Sequence, residues 1–181
     1  MRMIISPAKK MNVESDLLGC QGLPVFLEDT RKLMHWVQEL SFEEARKLWG
    51  CNEKIAELNF DRFSHMNLER NLTPALISYE GIQYQYMAPA VFSDLEWEYV
   101  QEHLRILSGF YGVLKPLDGV TPYRLEMQAK AKVDGTASLY DFLEIFVELT
   151  AVFLLPVIFP LIDRDDISFI RAFHECGHSG F

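Results

Sequence analysis

Residues 103–127 read HLRILSGFYGVLKPLDGVTPYRLEM, and this stretch joins a predicted helix to a predicted strand. Just before it, Ser93 and Glu96 form a capping-box pattern, which marks the start of a helix. Apolar residues then recur at helical spacing and predict a buried stripe made of Leu95, Tyr99, Val100, Leu104 and Leu107. Ser108 and Gly109 end this predicted helix, because glycine readily adopts the left-handed conformation found after a helix.

The residues after Pro122 alternate between apolar and polar side chains. The apolar positions are Leu125, Met127, Ala129, Ala131 and Val133, and the polar positions are Arg124, Glu126, Gln128, Lys130 and Lys132. A period of two predicts a strand with one solvent-exposed face, although the alanines leave a helix as an alternative. Side chains on one face of a strand lie about 6.6–6.8 Å apart, which is on the order of the phosphate spacing of a nucleic acid. The polar face suits a row of phosphates, or it is a solvated edge on which lysines discourage aggregation.

Further elements are predicted toward the N-terminus. The apolar run at residues 3–6 predicts a buried strand, which Pro7 ends because it has no N–H to donate. Amphipathic helices are predicted from Pro24, from Ser41 with its capping-box partner Glu44, and from Asn52. Residues 75–79 and 82–87 are rich in β-branched and aromatic side chains around Glu80-Gly81, which predicts a β-hairpin.

Composition indicates one globular domain in a reducing compartment. The chain has 181 residues and a net charge of −9, with three scattered cysteines that form no C-x-x-C pair. An odd number of scattered cysteines fits a cytoplasmic protein better than a disulfide framework. The net negative charge argues against a general polyanion binder, but residues 103–132 carry five Lys or Arg against two acidic residues. Nucleic-acid binding would therefore depend on this basic island.

Four segments carry a family resemblance: ISPAKKMN at 5–12, NEKIAELNFDRF at 52–63, YEGIQYQYM at 79–87 and the quoted stretch at 103–127. Together they closely resemble the YaaA family of bacterial peroxide-stress proteins, over residues 1–142. The resemblance implies a family-specific α/β (α+β mixed) fold with a helix-hairpin-helix-like element and a cytosolic location. It also implies a role in lowering peroxide damage to DNA, with double-stranded DNA as the partner. No cofactor, membrane or obligate protein partner is predicted.

The helix-hairpin-helix-like element would comprise the helix ending near Leu107, the turn at residues 108–112, and the segment through Lys115. Glycines suit such a turn because they let backbone N–H groups approach a phosphate. The alternative is that Gly109 is an ordinary helix cap and Gly112 part of a core turn. In the usual helix-hairpin-helix pattern a single apolar residue separates the two glycines, whereas here both Phe110 and Tyr111 lie between them. Pro116 also weakens the second helix. The predicted DNA-binding residues are Lys9, Arg105, Ser108, Gly109, Gly112, Lys115, Arg124, Lys130 and Lys132.

Lys9 follows the first strand in the motif Ser6-Pro7-Ala8-Lys9. At a strand end it can hold a phosphate or, if desolvated, act as a base or nucleophile. The alternative is a plain surface lysine. A second hypothesis for function is therefore an enzyme acting on a nucleotide or nucleobase, with Lys9 and Arg124 holding the substrate. Because no electrophile or reaction can be named, a non-enzymatic protein is favoured.

Residues 143–181 do not resemble the family. The segment at 145–162, IFVELTAVFLLPVIFPLI, is apolar, but Glu148 and two prolines make it a poor membrane span. It is an anchor, a core element, or the product of a shifted reading frame, and the last is favoured. The chain would then be a truncated homologue, and a non-functional fragment is a third hypothesis. Residues 174–178 match H-E-x-x-H, but Gly177 and the few residues that follow make a zinc protease a poor hypothesis.

Overall fold

The computed structural model of the chain describes residues 3–13 and 18–143. These residues belong to the first of two units into which the chain divides, Met1–Leu143. Helices and short strands are mixed along this part of the chain, so the predicted α/β (α+β mixed) class is confirmed. Apart from Leu143, the predicted tail at 143–181 lies outside the described residues, and so does its H-E-x-x-H motif.

Three helices follow one another in the first half of the chain. They are α1 (Leu27–Gln38), α2 (Phe42–Trp49) and α3 (Glu53–Ser64). The predicted capping box before α2 is formed, since the Ser41 N–H donates to the Glu44 carboxylate at 2.9 Å and the Glu44 N–H donates to Ser41 Oγ at 3.4 Å. The Asn52 side chain caps α3 by accepting from the Ile55 N–H at 3.0 Å. The predicted starts of α2 and α3 are therefore confirmed.

A three-stranded sheet lies beside these helices. It contains β1 (Met3–Ile5), β5 (Leu104–Ser108) and β6 (Gly112–Leu114), in the order β1-β5-β6. β1 and β5 run parallel, with Ile5 opposite Ile106, whereas β5 and β6 form an antiparallel hairpin. The predicted first strand is confirmed. It is less buried than expected, because β1 lies at the edge of this sheet and Ile4 is 48% exposed.

The predicted helix through Leu107 is wrong. Helix α6 (Asp94–His103) begins after Ser93 as predicted, but it ends at His103 and the chain continues directly as β5. Because strands follow on both sides of the turn at residues 109–111, the described chain forms a β-hairpin there and not a helix-hairpin-helix element. The reason is tertiary: β5 pairs with β1 on one side and β6 on the other, and these ladders override a weak local helical preference.

The predicted hairpin at residues 75–87 is also wrong. This segment forms α4 (Ala75–Ser78), β4 (Tyr79–Glu80) and α5 (Ile82–Met87), followed by a 3₁₀ turn at Pro89–Val91. β4 pairs antiparallel with β2 (Lys10–Met11), and Gly81 is extended with a φ of −172°. The aromatic residues of 82–87 face different environments around a helix, so Tyr84 is buried and Tyr86 is exposed.

No strand is formed at residues 124–132, so this prediction is wrong as regards pairing. The inside-outside pattern holds in part: Leu125 and Ala131 are buried and Glu126, Lys130 and Lys132 are exposed, but the Arg124 side chain is only 13% exposed. The segment is not extended throughout, since residues 127–129 form a turn in which the Ala129 N–H donates to the Glu126 carbonyl at 2.9 Å. The remaining elements are β3 (Thr73–Pro74), its partner β7 (Gly119–Val120) and α7 (Leu139–Phe142).

A series of aromatic ring contacts connects the helices to the sheet. The ring of Trp49 stacks on Phe63 at 5.7 Å between centroids, and Phe63 meets Phe110 edge-on at 5.4 Å. Phe110 in turn stacks on Tyr123 at 5.0 Å. Such pairs bury large apolar areas and have specific geometry. The hairpin turn is thus part of the core, and Tyr123 reaches from this core to the cleft described next.

Candidate functional site

A cleft of about 280 Å³ opens where β1 ends. One wall is the loop Ser6-Pro7-Ala8-Lys9 that follows β1, and the other is the segment at residues 123–128. Leu107 and Tyr140 complete the lining. The carboxyl end of a parallel strand is a common place for binding sites in α/β proteins, because the chain leaves the sheet there and presents loop side chains and backbone groups.

Three charged side chains meet in this cleft. Lys9 Nζ lies 2.8 Å from Glu126 Oε1, and an Nη of Arg124 lies 3.8 Å from the same oxygen. The two cations differ in their exposure, since the Lys9 side chain is 66% exposed and the Arg124 side chain only 13%. The cleft therefore holds one exposed ammonium and one largely buried guanidinium around a single carboxylate.

The guanidinium of Arg124 is only partly satisfied. Its Nε is fully buried and has no hydrogen-bond partner in the part of the chain that the structure describes. Leaving a buried polar group without a partner costs about 1–3 kcal/mol, and more for a charged group. A ligand in the cleft cannot reach this nitrogen unless the Arg124 side chain turns, so the case for an anionic ligand rests on the two cations that surround one carboxylate.

A network of buried hydroxyl groups lies behind the cleft, and Tyr123 is its one member in the cleft lining. The Tyr123 hydroxyl lies 2.6 Å from Ser108 Oγ and 2.9 Å from the Tyr79 hydroxyl. Ser108 Oγ also accepts the backbone N–H groups of Phe110 and Tyr111, at 3.1 and 2.9 Å. Burial raises the pKa of Tyr123 to about 12. This phenol is therefore neutral at ordinary pH and serves as a hydrogen-bonding group, not as a base.

Close backbone packing holds the cleft wall in place. A Cβ added at Gly109 would lie 2.6 Å from the Met127 nitrogen and 2.8 Å from the Leu125 carbonyl oxygen. Only glycine lets the hairpin turn approach the segment this closely. On the opposite wall, the Tyr84 hydroxyl donates to the Ser6 carbonyl at 2.8 Å. Both walls are thus tied to the core near the charged residues.

Comparison with known proteins gives a family. The family model described as "Peroxide stress protein YaaA" matches residues 1–150. The chain belongs to this family. Among its curated relatives, a UPF0246 protein of Desulfitobacterium hafniense is 55% identical over 152 residues, which cover 83% of this chain and 61% of the relative. A UPF0246 protein of Lachnoclostridium phytofermentans is 56% identical over 142 residues, 78% of this chain and 56% of the relative. The chain thus spans about three fifths of the length of these relatives.

The YaaA-family chain brings two of the predicted DNA-binding residues together in the cleft, Lys9 and Arg124. Four others lie in the interior: Arg105, Ser108, Gly109 and Gly112. Their burial weighs against direct contact with a phosphate. The remaining three, Lys115, Lys130 and Lys132, are exposed and do not line the cleft.

The buried positions of this YaaA-family chain have clear structural roles. Nη1 of Arg105 donates to the carbonyls of Gln101 and Leu104 at 3.0 and 2.6 Å. Gly112 has a φ of +71°, and a Cβ there would lie 2.6 Å from the ring of Phe26. The alternative in which Gly112 belongs to a core turn therefore describes the structure better than an exposed phosphate-binding turn does.

Two site residues were missed by the sequence prediction. Glu126 was assigned only to the solvent-exposed face of a strand, and Tyr123 was not among the predicted site residues. The alternating pattern did place Glu126 on the same face as Arg124, which is a signal for their contact. No local pattern connects either residue to Lys9, because that contact joins opposite ends of the described chain.

The described residues also limit other kinds of site. Within 3–13 and 18–143, no group of three or more His, Cys, Asp or Glu side chains is placed to hold a metal ion. None of the helices in this part is long and apolar enough to cross a membrane. Cys20 and Cys51 are both free thiols.

Proposed function

We propose that this chain serves in the cytosolic response to peroxide stress by binding the phosphate backbone of duplex DNA without sequence preference. Lys9 and Arg124 are the anchors, and the exposed residues Lys115, Lys130 and Lys132 add affinity. The observation that carries this proposal is the convergence of Lys9 and Arg124 on one cleft from distant parts of the chain. DNA held in this way is shielded from peroxide damage.

The chemistry of the cleft suits phosphate. Arginine presents a planar fork of donors that matches phosphate oxygens, and lysine adds a point charge on a flexible stem. Within the described residues Nε of Arg124 has no hydrogen-bond partner, but it is closed to solvent, so contact with a phosphate falls to the Nη groups of the fork. Phosphate contacts supply affinity and register but no base readout, which is why binding is independent of sequence.

The hairpin turn at residues 109–111 plays a supporting part in this proposal. Its residues are buried, and Gly109 packs against the segment that carries Glu126. The turn therefore positions the cleft wall and does not touch DNA. This differs from the role that the family resemblance implied for Gly109 and Gly112.

Binding to a short duplex over a series of salt concentrations tests the proposal. Each phosphate contact contributes about −0.9 to the slope of log K against log salt. The Lys9→Ala, Arg124→Ala double variant should therefore give a slope shallower by about 1.8. Lys10→Ala is the matched control, because Lys10 is exposed, pairs with Glu80 at 2.6 Å and does not line the cleft.

The outcomes separate site binding from general charge. For each charge removed, Lys10→Ala should change the slope much less than the Lys9→Ala, Arg124→Ala double variant does. Equal effects per charge would contradict a role for the cleft, and no binding of duplex by the parent chain would contradict the proposal itself.

A nucleotide- or nucleobase-directed enzyme is a second candidate. The observation in its favour is a cleft of about 280 Å³ with two tyrosine rings in its lining, Tyr123 and Tyr140. Small-molecule sites begin at about 300 Å³, so a mononucleotide is near the size limit. Incubation with nucleotides, followed by chromatography of products, tests this candidate. Loss of a turnover in Lys9→Ala with retained nucleotide binding supports it, and the absence of any product counts against it.

A further inference from the structure

We propose that Glu126 is an internal competitor for phosphate: its carboxylate occupies the anion position between Lys9 and Arg124 and leaves when a phosphate binds. This inference rests on the proposed function of the cleft and adds a regulatory element to it. The ligand chemistry is a phosphate group, carried either by a DNA backbone or by a free phosphate compound.

The geometry of the three side chains identifies the position. One oxygen, Oε1 of Glu126, is 2.8 Å from Lys9 Nζ and 3.8 Å from an Nη of Arg124. Carboxylate and phosphate oxygens are the same kind of acceptor for ammonium and guanidinium groups. The place of this oxygen therefore marks where a phosphate oxygen would lie.

The carboxylate satisfies the two cations incompletely. The distance of 3.8 Å to Arg124 is longer than a charge-assisted hydrogen bond, and Nε of the same residue has no partner in the described part of the chain. A phosphate has more oxygens, so it can contact Lys9 and an Nη of Arg124 at once, each at hydrogen-bond distance. This difference in the number of acceptors is what allows a ligand to displace the side chain.

Glu126 is also able to move. Its side chain is 46% exposed, and its partner Lys9 is 66% exposed, so their ion pair is weak. The backbone on either side is held by Gly109, whose absent Cβ leaves room for Leu125 and Met127. Displacement is therefore a swing of the side chain into solvent, without rearrangement of the cleft wall.

Glu126→Gln is the test variant, and Glu80→Gln is its matched control. Each substitution removes one negative charge and one Lys–Glu ion pair. The nitrogen–oxygen distance is 2.8 Å in the Lys9–Glu126 pair and 2.6 Å in the Lys10–Glu80 pair. The two sites differ because Glu80 does not line the cleft. Affinities are measured for inorganic phosphate, for adenosine monophosphate and for a short duplex, at one fixed salt concentration. Circular dichroism and thermal unfolding are used to check that both variants are folded.

The expected result is a gain of about three- to fivefold in affinity for phosphate in Glu126→Gln, which corresponds to the loss of a competing exposed ion pair. The control should change affinity by less than about 1.5-fold, since its lost charge lies outside the site. Glu126→Asp, with a shorter side chain that reaches the cations less well, should give a smaller gain.

The three ligands distinguish the source of the phosphate. A gain for all three identifies a site that takes backbone phosphates, whereas a gain for phosphate and adenosine monophosphate alone identifies a site for free phosphate compounds. In the second case the proposed function is overturned, while the competitor role of Glu126 stands. If duplex binding depends on Lys9 and Arg124 but Glu126→Gln gains nothing for any ligand, the competitor role is overturned and the proposed function stands.

Discussion

The backbone of Gly109 packs directly against the backbone of Met127: a Cβ at Gly109 would lie 2.6 Å from the Met127 nitrogen. This contact connects the β5–β6 hairpin to the segment that forms one wall of the cleft. Glu126, which reaches Lys9, precedes Met127. The hairpin therefore supports the wall that carries Arg124 and Glu126, whereas Lys9 lies on the loop after β1.

Gly109→Ala should destabilise the chain and weaken phosphate binding together. The added methyl group meets backbone atoms that cannot rotate away, and overpacking of this kind costs about 1–3 kcal/mol. Gly19→Ala is the control, because no heavy atom lies within 4 Å of a Cβ there. Urea unfolding measures the change in stability, and equal stabilities for the two variants would contradict the close packing.

Asp118 should make the stability of the chain depend on pH. Burial raises the pKa of its carboxyl group from 3.8 to about 6, and the Lys115 N–H together with the charges of Lys115 and Arg105 opposes that rise. A group whose pKa is raised on folding stabilises the folded state when protonated. This contribution is present below about pH 4 and is lost as the pH rises through about 6, by about 3 kcal/mol in total.

Asp118→Asn isolates this contribution. Asparagine keeps an oxygen that can accept the Lys115 N–H, which Asp118 Oδ2 accepts at 2.8 Å, but it does not titrate. The difference in unfolding free energy between variant and parent should therefore grow in favour of the variant between about pH 4 and pH 6. Measuring the difference cancels the other carboxylates. A difference that stays constant over this range would contradict a raised pKa in the folded chain.

Tyr123→Phe should cost about 1–3 kcal/mol, because it leaves the buried hydroxyls of Ser108 and Tyr79 without this partner. Tyr79→Phe removes only one contact of the same network. The double variant should be less destabilised than the sum of the two single variants, since the Tyr79–Tyr123 hydrogen bond is lost only once. Thermal or urea unfolding of the four proteins provides the cycle. Strict additivity would show that the two hydroxyls do not interact.

Lys130 and Lys132 should contribute to the salt dependence of duplex binding. Both are exposed, so replacing them with alanine should make the slope shallower by about two units if each contacts a phosphate. Arg105→Gln should leave the slope unchanged, because Arg105 is only 8% exposed and bonds to backbone carbonyls. An unchanged slope in the double lysine variant would show that this face is an ordinary solvated surface.

Local signals in the sequence were sufficient for several elements. Ser41 with Glu44 and Ser93 with Glu96 marked the starts of α2 and α6, because a capping box satisfies backbone groups within a few residues. The alternation at 124–132 predicted the burial of Leu125, Ala131 and Val133, but it placed the largely buried Arg124 on the exposed face. It did not predict pairing, since a ladder requires a neighbouring strand that lies elsewhere in the sequence.

The failed predictions share a physical reason. Residues 104–107 match a helical stripe, yet they form a strand because β1 and β6 supply hydrogen-bond partners on both sides. Residues 82–87 have strand-like composition, yet they form a helix, and β4 takes its partner from residues 10–11. Propensity and periodicity decide neither segment, and for 104–107 the partner strand β1 lies about a hundred residues away in the sequence.

The sequence by itself determined the family, the mixed fold class and the presence of Lys9 and Arg124 as candidate cations. These properties depend on residue identity and on short-range spacing. Tertiary structure alone decided that the two cations share Glu126, that the glycine turn is buried, and that Gly109 supports the cleft wall. Those relationships arise when β5 inserts between β1 and β6, because strand pairing brings together residues about a hundred positions apart.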